Sequence, residues 1–189
     1  IVLYAILFGV RYDVGVDYLQ YLFAYQQPED SMEVTRMEIG FRSIMLTFKA
    51  MGLHFTLFFA FVAFLQLFLV FRSVKEVPDV YPFLMGTFML GCVWLSYANG
   101  LRQILSVTLF MMSLYYTDKK KLILAYLFIL AAMLMHKSAM ILVVFYPLFA
   151  LKRVWFSNVK IQILLFLTAL VLSNVSLLDS LSEAIDSVA

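Results

Sequence analysis

Residues 53–71 read LHFTLFFAFVAFLQLFLVF and contain no Asp, Glu, Lys or Arg. A helix of about 20 apolar residues is long enough to cross a bilayer core of about 30 Å. The whole chain of 189 residues is similar in character, with 64% hydrophobic residues, 14% charged residues and a mean hydropathy of +0.94. Soluble domains average about 45–50% apolar and about 25% charged residues, so the sequence predicts an integral membrane protein.

Outward from this stretch, three further segments approach the length of a span: residues 80–98, 101–117 and 161–178. Residues 1–10 are also apolar, and we expect them to be the last part of another spanning helix whose beginning is truncated. The polar group His136-Lys137-Ser138 divides residues 122–150 into two apolar runs, each short for a span. Those runs fit either a hairpin of two helices or one long tilted helix.

The distribution of charge favours the hairpin. Lys and Arg accumulate in cytoplasmic loops, and the two most basic connections are residues 118–121 and 152–160. If both are cytoplasmic, an even number of crossings separates them, which places His136 at an outer bend. If successive loops alternate between the two sides of the membrane, the cytoplasmic side carries eight basic and three acidic residues, and the outer side carries six basic and nine acidic residues. We therefore expect an all-α, polytopic transmembrane bundle of about six spans plus a truncated N-terminal span, forming one domain over residues 1–189 that is truncated at both ends.

In this topology, three polar clusters share the outer face: residues 11–18, 99–103 and 136–138. The first cluster begins the outer segment 11–52, which is expected to form two interfacial amphipathic helices separated by the proline-containing stretch 26–35. Tyr18, Tyr21 and Tyr25 recur at helical spacing, which fits an aromatic belt at the lipid headgroups or, beside Arg11 and Asp17, a functional surface.

The second cluster carries Asn99, Arg102 and Gln103 at positions i, i+3 and i+4, so one helical face is expected to carry all three. An arginine at the membrane edge either snorkels to the interface or marks a functional site, and both interpretations stay open. Cys92 lies in an apolar run and is expected to be a small buried hydrophobe. We expect no metal site, because no His or Cys ligand spacing occurs, and no nucleic-acid partner, because the charges form short clusters between apolar runs.

Four motifs occur in order among the spans: RYDVGVDYLQY at 11–21, MEIGF at 37–41, NGLRQ at 99–103 and MHKSA at 135–139. Over about residues 4–150 the chain resembles the EpsG family of Wzy-like polysaccharide polymerases, which carry these motifs in the same order. The resemblance implies a bacterial enzyme in the cytoplasmic membrane that joins polyprenyl-pyrophosphate-linked oligosaccharides into exopolysaccharide, capsule or O-antigen by glycosyl transfer on the outer face. It also implies the lipid bilayer and other polysaccharide-assembly proteins as partners, and no cofactor.

That chemistry requires a base for the attacking sugar hydroxyl and positive charge for the leaving pyrophosphate. The resemblance therefore suggests Asp17 as the base, followed by His136 or Glu38, and Arg102 and Arg11 as the groups that hold pyrophosphate, supported by Lys137. The remaining candidates are expected to bind substrate: Asp13, Tyr18, Tyr21, Asn99, Gln103 and Ser138. The tyrosines are expected to stack on sugar rings, and the amides of Asn99 and Gln103 to form hydrogen bonds to sugar or phosphate.

Two alternatives remain open. A non-catalytic transporter or assembly component would carry polar groups near mid-membrane, yet spans 53–71, 80–98 and 161–178 are almost wholly apolar in their middles. A ligase that moves finished polymer onto another acceptor uses the same lipid-linked donor. Polymer length separates a ligase from a polymerase, because loss of a polymerase leaves single repeat units and loss of a ligase leaves long unattached chains.

Overall fold

The computed structural model describes residues 1–91, 93–150 and 158–173, and every regular element in these residues is helical, which confirms the all-α prediction. Contacts group residues 1–150 into one compact unit and 151–189 into a second. The first unit contains α1 (Val2–Val10), α2 (Tyr18–Gln26), α3 (Met32–Thr35), α4 (Ile39–Ala50), α5 (Phe55–Ser73), α6 (Tyr81–Leu90), α7 (Val93–Asn99), α8 (Leu101–Asp118), α9 (Leu122–Met135) and α10 (Met140–Ala150). Short 3₁₀ turns occupy Pro78–Val80 and Lys137–Ala139, and α11 (Val159–Ser173) lies in the second unit.

Helix α5 lies at the centre of the first unit, where it packs against α1 and against α8, and α8 in turn packs along α9. Its buried side includes Phe58, Phe59 and Val62, which have no exposed surface. Gln66 on the same helix is also buried, and its Nε2 donates to the Leu101 carbonyl at 3.1 Å. Within an apolar environment such a bond fixes one helix against another, so the start of α8 is tied to the middle of α5.

Among the described residues, α5 is the one unbroken helix that is long and apolar enough to cross a bilayer. Residues 80–98 do not form the single straight helix expected for them: Pro78–Phe88 and Val93–Asn99 are bent by 74° and together make a second candidate span. Cys92, the basic residues Lys152 and Arg153, and positions 174–178 of the last expected span lie outside the described residues. The number of spans and the single-domain organisation therefore stay predictions.

The segment 122–150 is a hairpin. Helix α9 ends at Met135, and the extended backbone of His136 (φ −157°, ψ 131°) interrupts the helical path before α10 begins. Tyr126 and Tyr146 lie on opposite sides of this break, and their ring centroids are 5.5 Å apart. Twenty residues of straight helix would separate the two by about 30 Å, so the chain reverses at His136 as the charge pattern predicts.

The two ends of the first unit differ in their polar groups. At one end Arg72 donates to the Tyr115 hydroxyl at 3.2 Å, and Lys119 pairs with Glu76. The loops at 72–76 and 118–121, both expected on the cytoplasmic side, therefore lie together. Helix α8 has 18 residues and is about 27 Å long, and it separates this end from the polar clusters near Arg102.

Candidate functional site

The Glu38 carboxylate joins three of the four sequence motifs. Its Oε2 lies 2.6 Å from Arg102 Nη1, and its Oε1 lies 2.9 Å from His136 Nδ1. The backbone amide of Lys137 also donates to Oε1, at 3.2 Å. Glu38 is 64 residues from the arginine and 98 from the histidine along the chain. We call Glu38, Arg102 and His136 the carboxylate cluster.

Gly40 allows the carboxylate to reach the histidine. Glu38 is the residue before α4, and Gly40 lies in the first turn of that helix, against the end of α9. A Cβ at position 40 would lie 2.8 Å from the Leu134 carbonyl oxygen and 2.9 Å from Leu134 Cβ. Carbon atoms in favourable contact are about 3.5–4.0 Å apart, so only glycine permits this approach.

The electrostatics of the cluster favour an ionised Glu38. Burial of its side chain, which is 8% exposed, would by itself raise the carboxyl pKa. Backbone amides, including that of Lys137, and the neighbouring Arg102 guanidinium outweigh burial and hold the pKa of Glu38 below its ordinary value. An ionised carboxylate only accepts hydrogen bonds, so His136 Nδ1 must carry the proton in their shared bond. In the neutral imidazole, Nε2 then keeps a free lone pair and can accept a proton.

Arg102 is presented by the first turn of α8, which follows a break at Gly100. Its Nε donates to the Tyr21 hydroxyl at 3.4 Å, in addition to the bond to Glu38. The expectation of one helical face for Asn99, Arg102 and Gln103 is wrong, because Asn99 ends α7 and the other two belong to α8. Arg102 is 20% exposed and paired, so it does not snorkel freely, while Gln103 is exposed.

Asn99 connects the second cluster to the first. Its Oδ1 accepts a hydrogen bond from the Val16 amide at 2.6 Å. Gly15, directly before that amide, has a φ of +101°, a left-handed conformation that glycine adopts without strain. The structure thus gives Asn99 a positioning contact, and its expected bond to sugar or phosphate stays a prediction.

The tyrosines of α2 face the protein interior. Tyr18 is completely buried and packs 5.5 Å from the ring of Phe59, and Tyr21 is 2% exposed and packs 5.7 Å from Phe41. The alternative of an aromatic belt against lipid headgroups is therefore wrong for both. Their buried rings also leave no face on which a sugar can stack, which corrects that expectation.

The other candidates lie around the carboxylate cluster without joining it. Asp17 precedes α2, is half-buried, and makes no ion pair among the described residues, although its charge acts on the Tyr21 hydroxyl. Asp13 is exposed and has a left-handed backbone with φ +50°. The Lys137 and Ser138 side chains are exposed beside the cluster. Arg11 is separate from it and packs over the ring of Phe8, 3.6 Å from the centroid.

Sequence reasoning proposed all three residues of the carboxylate cluster, but it missed two groups that help to position them. Gly40 and the Lys137 amide were not among the candidates, and Glu38 was not expected to be the residue that joins the others. The signal that could have found Gly40 is the pattern Glu38-x-Gly40, in which a residue that permits close helix approach follows the acid by two positions. No group of three or more His, Cys, Asp or Glu side chains that could hold a metal occurs within the described ranges.

Comparisons with known proteins give one match. The family model described as EpsG family matches residues 1–188, beyond the stretch 4–150 on which the motifs lie. No curated protein and no solved structure matches the chain.

Proposed function

The chain belongs to the EpsG family, and from this premise we propose that it is a membrane polysaccharide polymerase. Its reaction would be glycosyl transfer between polyprenyl-pyrophosphate-linked oligosaccharides at the extracytoplasmic face of the bacterial cytoplasmic membrane. The observation that carries this proposal is the carboxylate cluster, because it supplies an oriented base and a fixed cation in one place. The charge pattern of the loops supports the outer face.

In the proposed reaction, a hydroxyl of the incoming repeat unit attacks the anomeric carbon of the growing chain. The hydroxyl proton passes to His136 Nε2 as the new carbon–oxygen bond forms. The bond between the anomeric carbon and the pyrophosphate oxygen breaks, and polyprenyl pyrophosphate leaves with the bonding electrons. Glu38 holds the histidine in the required tautomer and stabilises the imidazolium that forms, a form of base catalysis that contributes roughly a hundredfold to ten-thousandfold.

The cluster favours His136 over Asp17 as the base. The histidine is oriented by a 2.9 Å bond to an ionised partner, and its side chain is 26% exposed, so Nε2 can meet a substrate. Asp17 has no such orienting partner among the described residues. We assign Arg102 to holding Glu38 in place and, with the exposed Lys137, to facing the negative charge of the leaving group.

The experiment that tests the proposal replaces His136 with glutamine in the full-length protein, in cells that lack the native gene. We expect single repeat units in place of the polysaccharide length ladder, with membrane insertion verified. His54→Gln is the matched control, since His54 caps the start of α5 near Thr56 and is expected to leave the ladder intact. Long chains that stay unattached in the His136 variant would indicate a ligase instead.

A transporter or assembly component gives a different result. Such a protein needs no base, so His136→Gln would leave chain length unchanged or lower the amount of polymer at every length alike. Either outcome would contradict the proposed glycosyl transfer. Asp17→Asn separates the two base assignments, because we expect it to retain long chains when His136→Gln does not.

A further inference from the structure

Arg11 differs from Arg102 in having no polar partner. Its Nε, Nη1 and Nη2 atoms are all buried and make no hydrogen bond, and the described residues offer it no carboxylate within ion-pair distance. The guanidinium carbon instead lies 3.6 Å from the Phe8 ring centroid and 5.4 Å from that of Phe59. Burial lowers the pKa of Arg11 to about 10, so the group is still charged at neutral pH. A buried charge of this kind is stabilised by an anionic partner.

Two buried hydroxyl groups accompany this guanidinium. The Tyr4 and Tyr18 hydroxyls are also buried without a hydrogen-bond partner, and both interact electrostatically with Arg11. A guanidinium only donates hydrogen bonds, and each phenol can donate one. The three side chains therefore form a donor cluster whose chemistry suits an oxyanion such as phosphate, which accepts several such bonds at once.

Two members of the donor cluster, Arg11 and Tyr4, line an apolar groove. A cavity of about 380 Å³ is lined by Arg11 and Tyr4 together with apolar side chains that include Leu7, Val14 and Trp94. A second cavity of about 370 Å³ adjoins it, since both are lined by Tyr4 and Phe88, whose rings pack 5.4 Å apart. Apart from the donor cluster, the combined surface is almost entirely hydrocarbon. A ligand that matches it has a phosphate at one end and a long apolar chain.

Tyr21 relates this groove to the carboxylate cluster. Its hydroxyl accepts a hydrogen bond from Arg102 and also interacts electrostatically with Arg11. The charge of Arg102 is compensated by Glu38, whereas that of Arg11 is not compensated by any described carboxylate. The uncompensated charge of Arg11 is therefore expected to attract an anion more strongly than the charge of Arg102 does.

We propose that the apolar groove binds the lipid carrier of the substrate, with the phosphate at Arg11 and Tyr4 and the isoprenoid chain along α1, α6 and α7. This inference rests on the proposed function for the identity of the lipid. In this assignment Arg11 binds the phosphate of the lipid carrier, while Arg102 holds Glu38 in position and faces the negative charge of the leaving group during the reaction.

The test is equilibrium binding to the full-length protein in phosphatidylcholine nanodiscs. The probe is polyprenyl diphosphate without sugar, compared with uncharged polyprenol of the same chain length. We expect Arg11→Met, which keeps an apolar stem over Phe8, to weaken diphosphate binding roughly tenfold to a hundredfold and to leave polyprenol binding unchanged. Arg11→Lys retains the charge and loses less affinity than Arg11→Met. A dissociation constant for Arg11→Met within about twofold of the parent protein would overturn the assignment of the phosphate.

A second pair of variants tests the groove without changing a charge. Leu7 is 60% exposed and lines the cavity, so Leu7→Trp is expected to weaken binding of the diphosphate. Leu127 is 55% exposed on α9 and does not line it, so Leu127→Trp is the matched control and leaves binding unchanged. Two results would overturn a specific carrier site. One is an equal effect of the two tryptophan substitutions on diphosphate binding, and the other is displacement of the probe by an equal concentration of phosphatidylglycerol.

The same assay separates this inference from the proposed function. His136→Gln keeps the pair of Glu38 with Arg102 and is expected to bind the diphosphate normally while it forms no polymer. Normal binding by Arg11→Met, together with polymer loss in His136→Gln, would overturn the carrier site and leave the polymerase intact. Polymer formation by His136→Gln, together with weakened binding in Arg11→Met, would overturn the proposed function and leave a lipid-phosphate site.

Discussion

Gly40→Ala changes one hydrogen atom to a methyl group at the closest approach of α4 to α9. The new Cβ would lie 2.8 Å from the Leu134 carbonyl oxygen and 2.9 Å from Leu134 Cβ. Favourable carbon contacts need about 3.5–4.0 Å, so the start of α4 has to retreat by about 0.6–1 Å. Glu38 lies two residues before Gly40 and moves with it, which lengthens its 2.9 Å bond to His136 beyond the range of a hydrogen bond.

The expected losses follow from that displacement. Overpacking of this size costs typically about 1–3 kcal/mol of stability, which lowers the melting temperature without unfolding the protein at assay temperature. A displacement of about 1 Å at catalytic groups can slow a reaction by roughly a hundredfold. We therefore expect Gly40→Ala to insert normally into the membrane and to form only short polysaccharide chains.

The assay is the length ladder in cells expressing the full-length variant, together with thermal unfolding of the purified protein. Gly86→Ala is the matched control, because Gly86 is also helical and a Cβ there meets no atom within 4 Å. That control is expected to gain about 0.5–1 kcal/mol from helix propensity and to keep the full ladder. A full ladder from a correctly inserted Gly40→Ala would refute the claim that this contact positions the Glu38 carboxylate.

Three further predictions concern the polar contacts. The lowered pKa of Glu38 means that the contribution of its charge to stability is lost as the pH falls below the ordinary value of 4.5 and through the lowered value; the melting-temperature difference between the parent protein and Glu38→Gln should therefore shrink below about pH 4.5. Asn99→Ala removes the acceptor for the Val16 amide and should cost about 1 kcal/mol in thermal unfolding, whereas Asn99→Asp keeps the acceptor and should restore stability. Glu76→Gln breaks the exposed pair with Lys119 and should leave the melting temperature unchanged, because solvent screens both charges.

The sequence identified Glu38, Arg102 and His136 as candidate site residues, but it did not predict their contacts with one another. The break at His136 could be predicted because a polar triplet interrupts an apolar run, and because the loop charges favour an even number of crossings. The pairing of Glu38 with Arg102 and His136 could not, since it joins residues 64 and 98 positions apart and depends on the packing of α4 against α9. Motif order carries no distances, so the acid at the centre looked no different from its neighbours.

The burial of Tyr18 and Tyr21 was missed for a different physical reason. In a soluble protein, apolar periodicity marks the buried face of a helix, but in a membrane protein the lipid-facing surface is also apolar. The same tyrosine spacing therefore fits a belt against headgroups and a face against α5. The contact of Tyr18 with Phe59, which depends on where α2 docks, decides between them.

The most direct test of the carboxylate cluster is the initial rate of polymer extension by purified full-length protein for Glu38→Gln, His136→Gln and the double variant. If the carboxylate acts through the histidine, each single change should slow extension roughly a hundredfold or more, and the double variant should be about as slow as the slower single variant. Losses that multiply in the double variant would show that the two residues act independently. Single variants that extend polymer at the parental rate would contradict a Glu38–His136 base altogether.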